Sequence, residues 1–218
     1  MSFEAAMPPY NSGDPSATFL SSSALDFLLI ELVPLAYRVT NEAPPATLQN
    51  TGSSEHHAGG PAAATTANTA TTSPSRAEDD EALEAVRHKL EMTGYRVGQG
   101  LVERHVFSKD RPRFNDTLDV IKFLCKDLWS LVFGKNIDNL KTNHRGVYVL
   151  TDNVFRPFSR MSTEAGGQAV VRAQPFLWFP CGIVKGALTA LGIDATVQAE
   201  INELPGAIFQ IKTIPAKS

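Results

Sequence analysis

The chain has 218 residues, with 20 lysines and arginines against 23 aspartates and glutamates, and a formal net charge of -3. This balance lacks the basic excess that a nucleic-acid-binding surface uses to neutralise phosphates, so we expect no nucleic-acid partner. Its two cysteines have neither the paired spacing of zinc ligands nor the density of a secreted disulfide scaffold, which favours a reducing, cytosolic compartment.

Two segments are predicted to stay outside the folded core. We expect residues 1–18 to form a disordered tail and residues 41–80 to form a disordered, low-complexity insert. Between residues 41 and 77, Leu48 is the only large apolar side chain, too little to offset the entropy of ordering the segment. The rest, residues 19–218, is predicted to be a single globular domain that the insert interrupts once.

The first predicted helix, residues 24–39, is apolar on two faces. Two rows of side chains recur at helical spacing: Leu25, Leu28, Leu29, Leu32, Ala36 and Val39 on one face, and Phe27, Ile30, Val33 and Tyr37 on the other. The charges of Asp26 and Glu31 leave no run long enough to span a bilayer. A small domain cannot cover both faces of a terminal helix, so we expect a partner chain on the second face. Pro34 is predicted to kink this helix or to end its regular part.

Three further helices follow the insert. The first, from about Glu78, carries the stripe Leu83, Val86 and Leu90 and is predicted to stop at Gly94, with a second short helix after it. The next is capped near Asn115 and Asp116 and ends at Gly134. Its apolar stripe is Leu118, Ile121, Cys125, Leu128 and Val132.

The glycines at 94, 98 and 100 resemble a dinucleotide-binding loop, but the pattern fails. The sequence reads G-x-G-x-x-E, follows a helix rather than a strand, and places Glu103 where it would repel a phosphate. We expect Gly98 and Gly100 instead to let a helix start and pack close to its neighbours. A nucleotide-dependent enzyme remains an alternative that ligand-induced stabilisation would test.

The last third of the chain predicts strands around one buried helix. The alternation at Val147 and Val149, a turn at 151–153 and a return at Val154 predict one hairpin, and residues 195–214 predict a second. Between them, residues 175–193 predict a buried helix whose Gly182 and Gly186 let another backbone approach. Two hairpins separated by a helix indicate an α+β fold with a mainly antiparallel sheet and helices on one side.

No group of side chains has the spacing of an active site or a metal site. Outside the insert, which contains His56 and His57, the histidines lack the spacing with acids or cysteines that metal ligation favours, and the two cysteines lie in apolar runs. The histidines are His56, His57, His88, His105 and His144. We therefore predict a protein that is not an enzyme and has no catalytic, cofactor-binding or metal-binding residues.

Three segments carry a family resemblance: "TGYRVGQGLVER", "FNDTLDVIKFLCKDLWSLVFGKNIDNLKTNHRGVYVLTDN" and "CGIVKGALTALGI". They resemble the small core subunits of the transport protein particle, TRAPP, and specifically its subunit-6 type. The resemblance runs from about Glu81 to the C-terminus and is weaker in the first helix. It implies an α+β fold, with a four-stranded antiparallel sheet and helices packed on one face.

The resemblance also implies a function. Such subunits belong to a rod-like complex that tethers vesicles in endoplasmic reticulum to Golgi and Golgi traffic and activates a Rab-family GTPase by nucleotide exchange. The subunit-6 type pairs with the subunit-3 type through N-terminal helices, alongside other core subunits. This implies a cytoplasmic protein whose association with Golgi membranes is peripheral and indirect. The partner interface is predicted at Leu25, Phe27, Leu28, Ile30, Leu32, Leu83, Val86 and Leu90.

One family feature is predicted to be missing. A related small subunit carries an acylated cysteine just before the segment that matches "FNDTLDV", and here the matching position is Arg111. We therefore carry over no lipid site. The alternative function from another class is a small apolar-ligand-binding domain, since a sheet covered by helices can enclose a pocket.

Overall fold

The computed structural model describes residues 21–42, 76–106, 114–143, 145–161 and 168–214. The predicted tail, most of the predicted insert and Arg111 lie outside these described residues. Residues 41–42 and 76–80 belong to helices, so the predicted insert was too wide at both ends.

Six α-helices, one π-helical turn and two 3-10 turns make up the helical part of the described chain. The helices are α1 (Ser22–Glu42), α2 (Arg76–Val106), α3 (Thr117–Phe123), α4 (Trp129–Phe133), α5 (Gln168–Ala173) and α6 (Trp178–Ala190). A π turn, Leu124–Leu128, joins α3 to α4, and 3-10 turns occupy Arg156–Phe158 and Gln174–Leu177. Helix α1 continues through Pro34, so the alternative that the helix ends there is wrong.

A four-stranded antiparallel sheet forms the other layer and confirms the predicted fold class. Its strands are β1 (Asn139–Thr142), β2 (Val147–Asp152), β3 (Ala195–Glu200) and β4 (Ala207–Thr213), in the spatial order β1-β2-β4-β3. The hairpin β3–β4 is the predicted one. The other predicted hairpin, in which β2 pairs with a strand returning at Val154, was wrong. Strand β2 pairs with the preceding β1, and the chain after Asp152 enters a 3-10 turn.

The α3–α4 segment packs its apolar side chains into the same core as the sheet and α6. Asp116 caps it, because its side chain accepts the Asp119 backbone N–H at 2.7 Å, and Gly134 ends it at a φ of 76°. Both helix ends agree with the prediction. Rings from this segment, the 3-10 turn and the sheet meet in the core: Trp129, Phe133, Phe155 and Phe209.

Helix α2 runs without a break through all three glycines, so the predicted stop at Gly94 was wrong. A Cβ on Gly94 would overlap the carbonyl oxygen of Phe179, and one on Gly98 would overlap that of Ile183, both in α6. In α6, a Cβ on Gly182 would overlap the carbonyl oxygen of Glu91, and one on Gly186 would overlap that of Tyr95, both in α2. Close backbone packing explains Gly98 and the 182/186 pair as predicted, but Gly100 faces open space.

Candidate partner interface

One side of α1 is buried against α2 and α6. Val33 and Ala36 pack with Val86 and Leu90 of α2, and all four side chains are buried. Val86 and Leu90 are at most 1% exposed, so their inclusion in a partner surface has to be corrected. Burial within the chain already accounts for the apolar stripe that placed them there.

The face of α1 beside the buried one leaves a row of apolar side chains at the surface. Leu28 is 62% exposed, Leu35 43% and Val39 39%, with Leu32 partly buried between them. These four residues, at spacings of four, three and four, form what we call the α1 stripe. The same spacing lines the contact seam of paired helices.

The remaining residues predicted for the interface surround the α1 stripe to different degrees. Phe27 is 62% exposed and Leu83 of α2 is 43% exposed, whereas Leu25 and Ile30 are partly buried. Sequence reasoning did not name Leu35, although its position seven residues after Leu28 placed it on the same face.

An ionic contact holds the beginning of α1 to the 3-10 turn after β2. The Asp26 carboxylate accepts hydrogen bonds from Arg156 Nε at 2.6 Å and from Arg160 Nη2 at 3.0 Å. These two arginines, Arg156 first, lower the pKa of Asp26 below its usual value. The Arg160 guanidinium carbon also lies 5.8 Å from the centre of the exposed Phe27 ring. Contacts at the beginning and in the middle of α1 therefore fix how it presents its stripe.

A buried carboxylate lies far from α1 in the sequence, but its contacts are those of a structural group. Asp152 is 0% exposed and accepts hydrogen bonds from Trp129 Nε1 at 2.8 Å and from Lys135 Nζ at 2.6 Å. Lys135 also donates to Asp138 at 2.7 Å. Since both carboxylate oxygens are satisfied, this group ties α4 to the end of β2.

The cysteines are poor nucleophiles. Burial raises the pKa of Cys125 and of Cys181 to about 12, which keeps both thiols protonated at neutral pH. Across the described residues, no three histidine, cysteine or acidic side chains form a cluster that could hold a metal ion. Among those residues His88 is exposed on α2.

A cavity of about 260 Å³ lies between α2, α6 and β3, and half of the residues that line it are polar or charged. A second, of about 370 Å³, lies at the turn before β4 beside Asn153, Asn202 and Glu203. The mixed lining differs from the mainly apolar wall of typical ligand pockets. No helix among the described residues is long and apolar enough to cross a membrane.

Residues 25–214 match the family model described as "Transport protein particle (TRAPP) component". The chain belongs to the TRAPP family. Over 123 residues it is 54% identical to the Danio rerio "Trafficking protein particle complex subunit 6b", covering 56% of this chain and 76% of that protein. It is 48% identical over 122 residues to the Homo sapiens "Trafficking protein particle complex subunit 6A", covering 56% of this chain and 74% of that protein.

These relatives identify a TRAPP protein of the subunit-6 type, as the sequence motifs predicted. A solved structure agrees on the fold: a trafficking protein particle complex subunit 3 from Naegleria fowleri, covalently bound to palmitic acid, superposes with a TM-score of 0.58. That likeness covers 89% of this chain and 98% of the other at 11% identity. A component of a trafficking complex with an α+β fold is therefore established.

Proposed function

We propose that this TRAPP protein is a non-catalytic, architectural subunit that uses the α1 stripe to pair with a subunit-3 type partner. The α1 stripe carries the proposal. Leu28, Leu32, Leu35 and Val39 form one continuous row on a helix whose adjacent face, with Val33 and Ala36, is already buried within the chain. A helix of the partner could cover this row in the manner of a paired-helix seam.

The contacts of α1 support a preformed surface rather than one that folds on binding. Val33 and Ala36 fix the middle of the helix on α2, and the Asp26 contact with Arg156 fixes its beginning. A helix that is ordered before binding loses less entropy when the partner docks. The exposed Phe27, under Arg160, supplies an aromatic anchor at one end of the α1 stripe.

The wider role proposed for the chain follows from its family. As one core subunit among others, it would support vesicle tethering in endoplasmic reticulum to Golgi and Golgi traffic. It would also support nucleotide exchange on a Rab GTPase by the whole complex. We place the protein in the cytoplasm, with peripheral and indirect association with Golgi membranes. The buried, protonated cysteines and the satisfied Asp152 agree with the absence of catalysis in this proposal.

Co-expression with a subunit-3 type partner tests the pairing. The full chain should give a one-to-one complex by light scattering. Leu28→Glu or Leu35→Glu should weaken that complex by at least about 2 kcal/mol, roughly thirtyfold in Kd, because each buries a charge in an apolar seam. The matched control is Val171→Glu, since Val171 is 72% exposed on α5. A stable monomer that does not bind the partner, or an equal loss of affinity in all three variants, would contradict the proposal.

A further inference from the structure

Among the described residues, the strand β3 lies at one edge of the sheet, with β4 as its one neighbour. In an antiparallel pair, alternate residues point their backbone N–H and C=O groups toward the neighbour and away from it. The residues of β3 that point away present donors and acceptors for which no partner is found within the described part of the chain. Such a row is a template for another strand.

Two hydrogen bonds identify which residues of β3 point outward. Ile214 N–H donates to Asp194 C=O at 2.8 Å, which makes this pair a hydrogen-bonded one in the β3–β4 register. Thr213 N–H donates to Gly146 C=O at 3.0 Å, which turns Thr213 toward β2 instead. Both observations fix the same alternation. Val197 and Ala199 therefore direct their backbone groups away from β4, to the open edge.

The cavity of about 260 Å³ lies along this edge. Arg87 and Glu91 of α2 line it on one side, and Trp178 and Cys181 of α6 line it as well. Arg87 is already paired with Glu91 at 3.0 Å, so it does not offer a free positive charge. The volume is below the roughly 300–1,000 Å³ of small-molecule pockets, whereas a backbone edge beside a helix suits an extended peptide.

The charges beside the β3 edge indicate which kind of strand could pair with it. Asp194 and Glu200, at the two ends of β3, are both exposed. Two copies of this chain paired through β3 would bring acidic edges together, which is unfavourable between neighbouring strands. A basic segment would instead gain from the same charges.

We propose that the β3 edge binds an extended segment of a second protein, which adds to the sheet as a fifth strand. Residues directly opposite each other on paired strands point to the same face. The positions opposite Val197 and Ala199 therefore take apolar side chains toward the helices. The position opposite Gln198 takes a polar residue on the open face, and the flanking positions take lysine or arginine. This surface does not involve the α1 stripe, so it does not depend on the proposed heterodimer.

A fluorescein-labelled peptide, Lys-Val-Thr-Val-Lys, has the required alternation in either strand direction. We expect the full-length protein to bind it with a Kd of about 1 mM or tighter by fluorescence anisotropy. Amide exchange measured by NMR should show protection of Val197 and Ala199 on binding. A peptide of the same composition without alternation, Val-Val-Lys-Lys-Thr, should bind at least about tenfold more weakly.

A proline at an outward-pointing position removes the N–H needed by an added strand without removing a bond to β4. Ala199→Pro should therefore weaken binding at least about tenfold and leave the fold intact by circular dichroism. Thr142→Pro is the matched control at the other sheet edge. Asn143 N–H bonds Val147 C=O at 3.0 Å, so the alternation also turns Thr142 outward. This variant should bind like the unchanged protein.

Three results would overturn the proposal. One is the absence of peptide binding at several times the expected Kd, and another is equal binding by the Ala199→Pro variant. The third is a dimer of this chain alone that Ala199→Pro abolishes, which would assign the edge to a second copy. Loss of the subunit-3 complex in the α1 variants, with peptide binding retained, keeps the two proposals separate.

Discussion

Gly98 of α2 and Ile183 of α6 meet backbone against backbone, with no room for a side chain between them. A Cβ on Gly98 would overlap the carbonyl oxygen of Ile183. The carbonyl belongs to a helix, so it cannot move aside without shifting α6. The contact therefore requires glycine for space rather than for an unusual backbone angle.

Gly98→Ala should destabilise the protein by about 1–3 kcal/mol, because the added methyl group pushes the two helices apart. Gly100→Ala is the matched control two residues away in the same helix. Its Cβ would have nothing within 4 Å, so alanine should stabilise the protein by about 0.5–1 kcal/mol through its higher helix propensity. Urea unfolding of both variants gives the comparison. Similar stabilities for the two variants would show that the helices are not in contact at Gly98.

Lys135→Met should cost about 3 kcal/mol, because it leaves the Asp152 carboxylate buried without its cation. The control is Arg38→Met, which breaks an exposed ion pair with Glu31 and should cost less than about 1 kcal/mol. Thermal unfolding of each variant measures the difference. An equal cost for the two changes would argue that Asp152 does not need its cation in the folded protein.

The Asp26 contact should make α1 sensitive to acid. Its pKa in the fold lies below the ordinary 3.8, so the carboxylate stabilises the folded state above that value. This contribution is lost as the pH falls through the lowered pKa. The gap in melting temperature between the unchanged protein and Asp26→Asn should thus be largest near neutral pH and shrink below 3.8. Glu103→Gln, an exposed site on α2, provides the control, and a gap independent of pH would contradict the contact.

Both cysteines should resist thiol reagents while the protein is folded. Burial raises their pKa values to about 12, so few thiolates exist at about pH 8. Colorimetric titration with an aromatic disulfide should find no fast thiol in the native protein and two after unfolding in urea. Rapid reaction of either native cysteine would show that its side chain opens to solvent.

Sequence patterns predicted elements whose signal is local. The cap at Asp116, the stop at Gly134 and the β3–β4 hairpin all follow from residues within a few positions of each other. Strand β1 was missed because Leu140 is its single apolar residue and gives no alternation. The apolar Val154 and Phe155 looked like a returning strand, although Phe155 enters the core from a 3-10 turn.

Features that depend on distant residues could not be predicted. A glycine after an apolar helical stripe looks the same in the local sequence whether it ends the helix or lets a second helix pack closely against it. The structure decides for Gly94 through Phe179, 85 positions further along the chain. Likewise, the burial of Val86 and Leu90 depends on α1, and the anchoring of Asp26 depends on Arg156. The surplus of apolar side chains on α1 predicted that some would stay exposed, but the predicted faces were wrong. Leu29 and Ala36 of the first face and Val33 of the second are buried, whereas Leu28 and Val39 of the first are exposed.

The unbroken course of α2 gives the domain a rigid rod of about 46 Å. Val86 and Leu90 of α2 support α1, and Gly94 and Gly98, further along the same helix, pack against α6. Helices α1 and α6 are therefore both held by the same uninterrupted helix, α2. Because no joint interrupts α2, a displacement of α1 would be passed along this helix to α6.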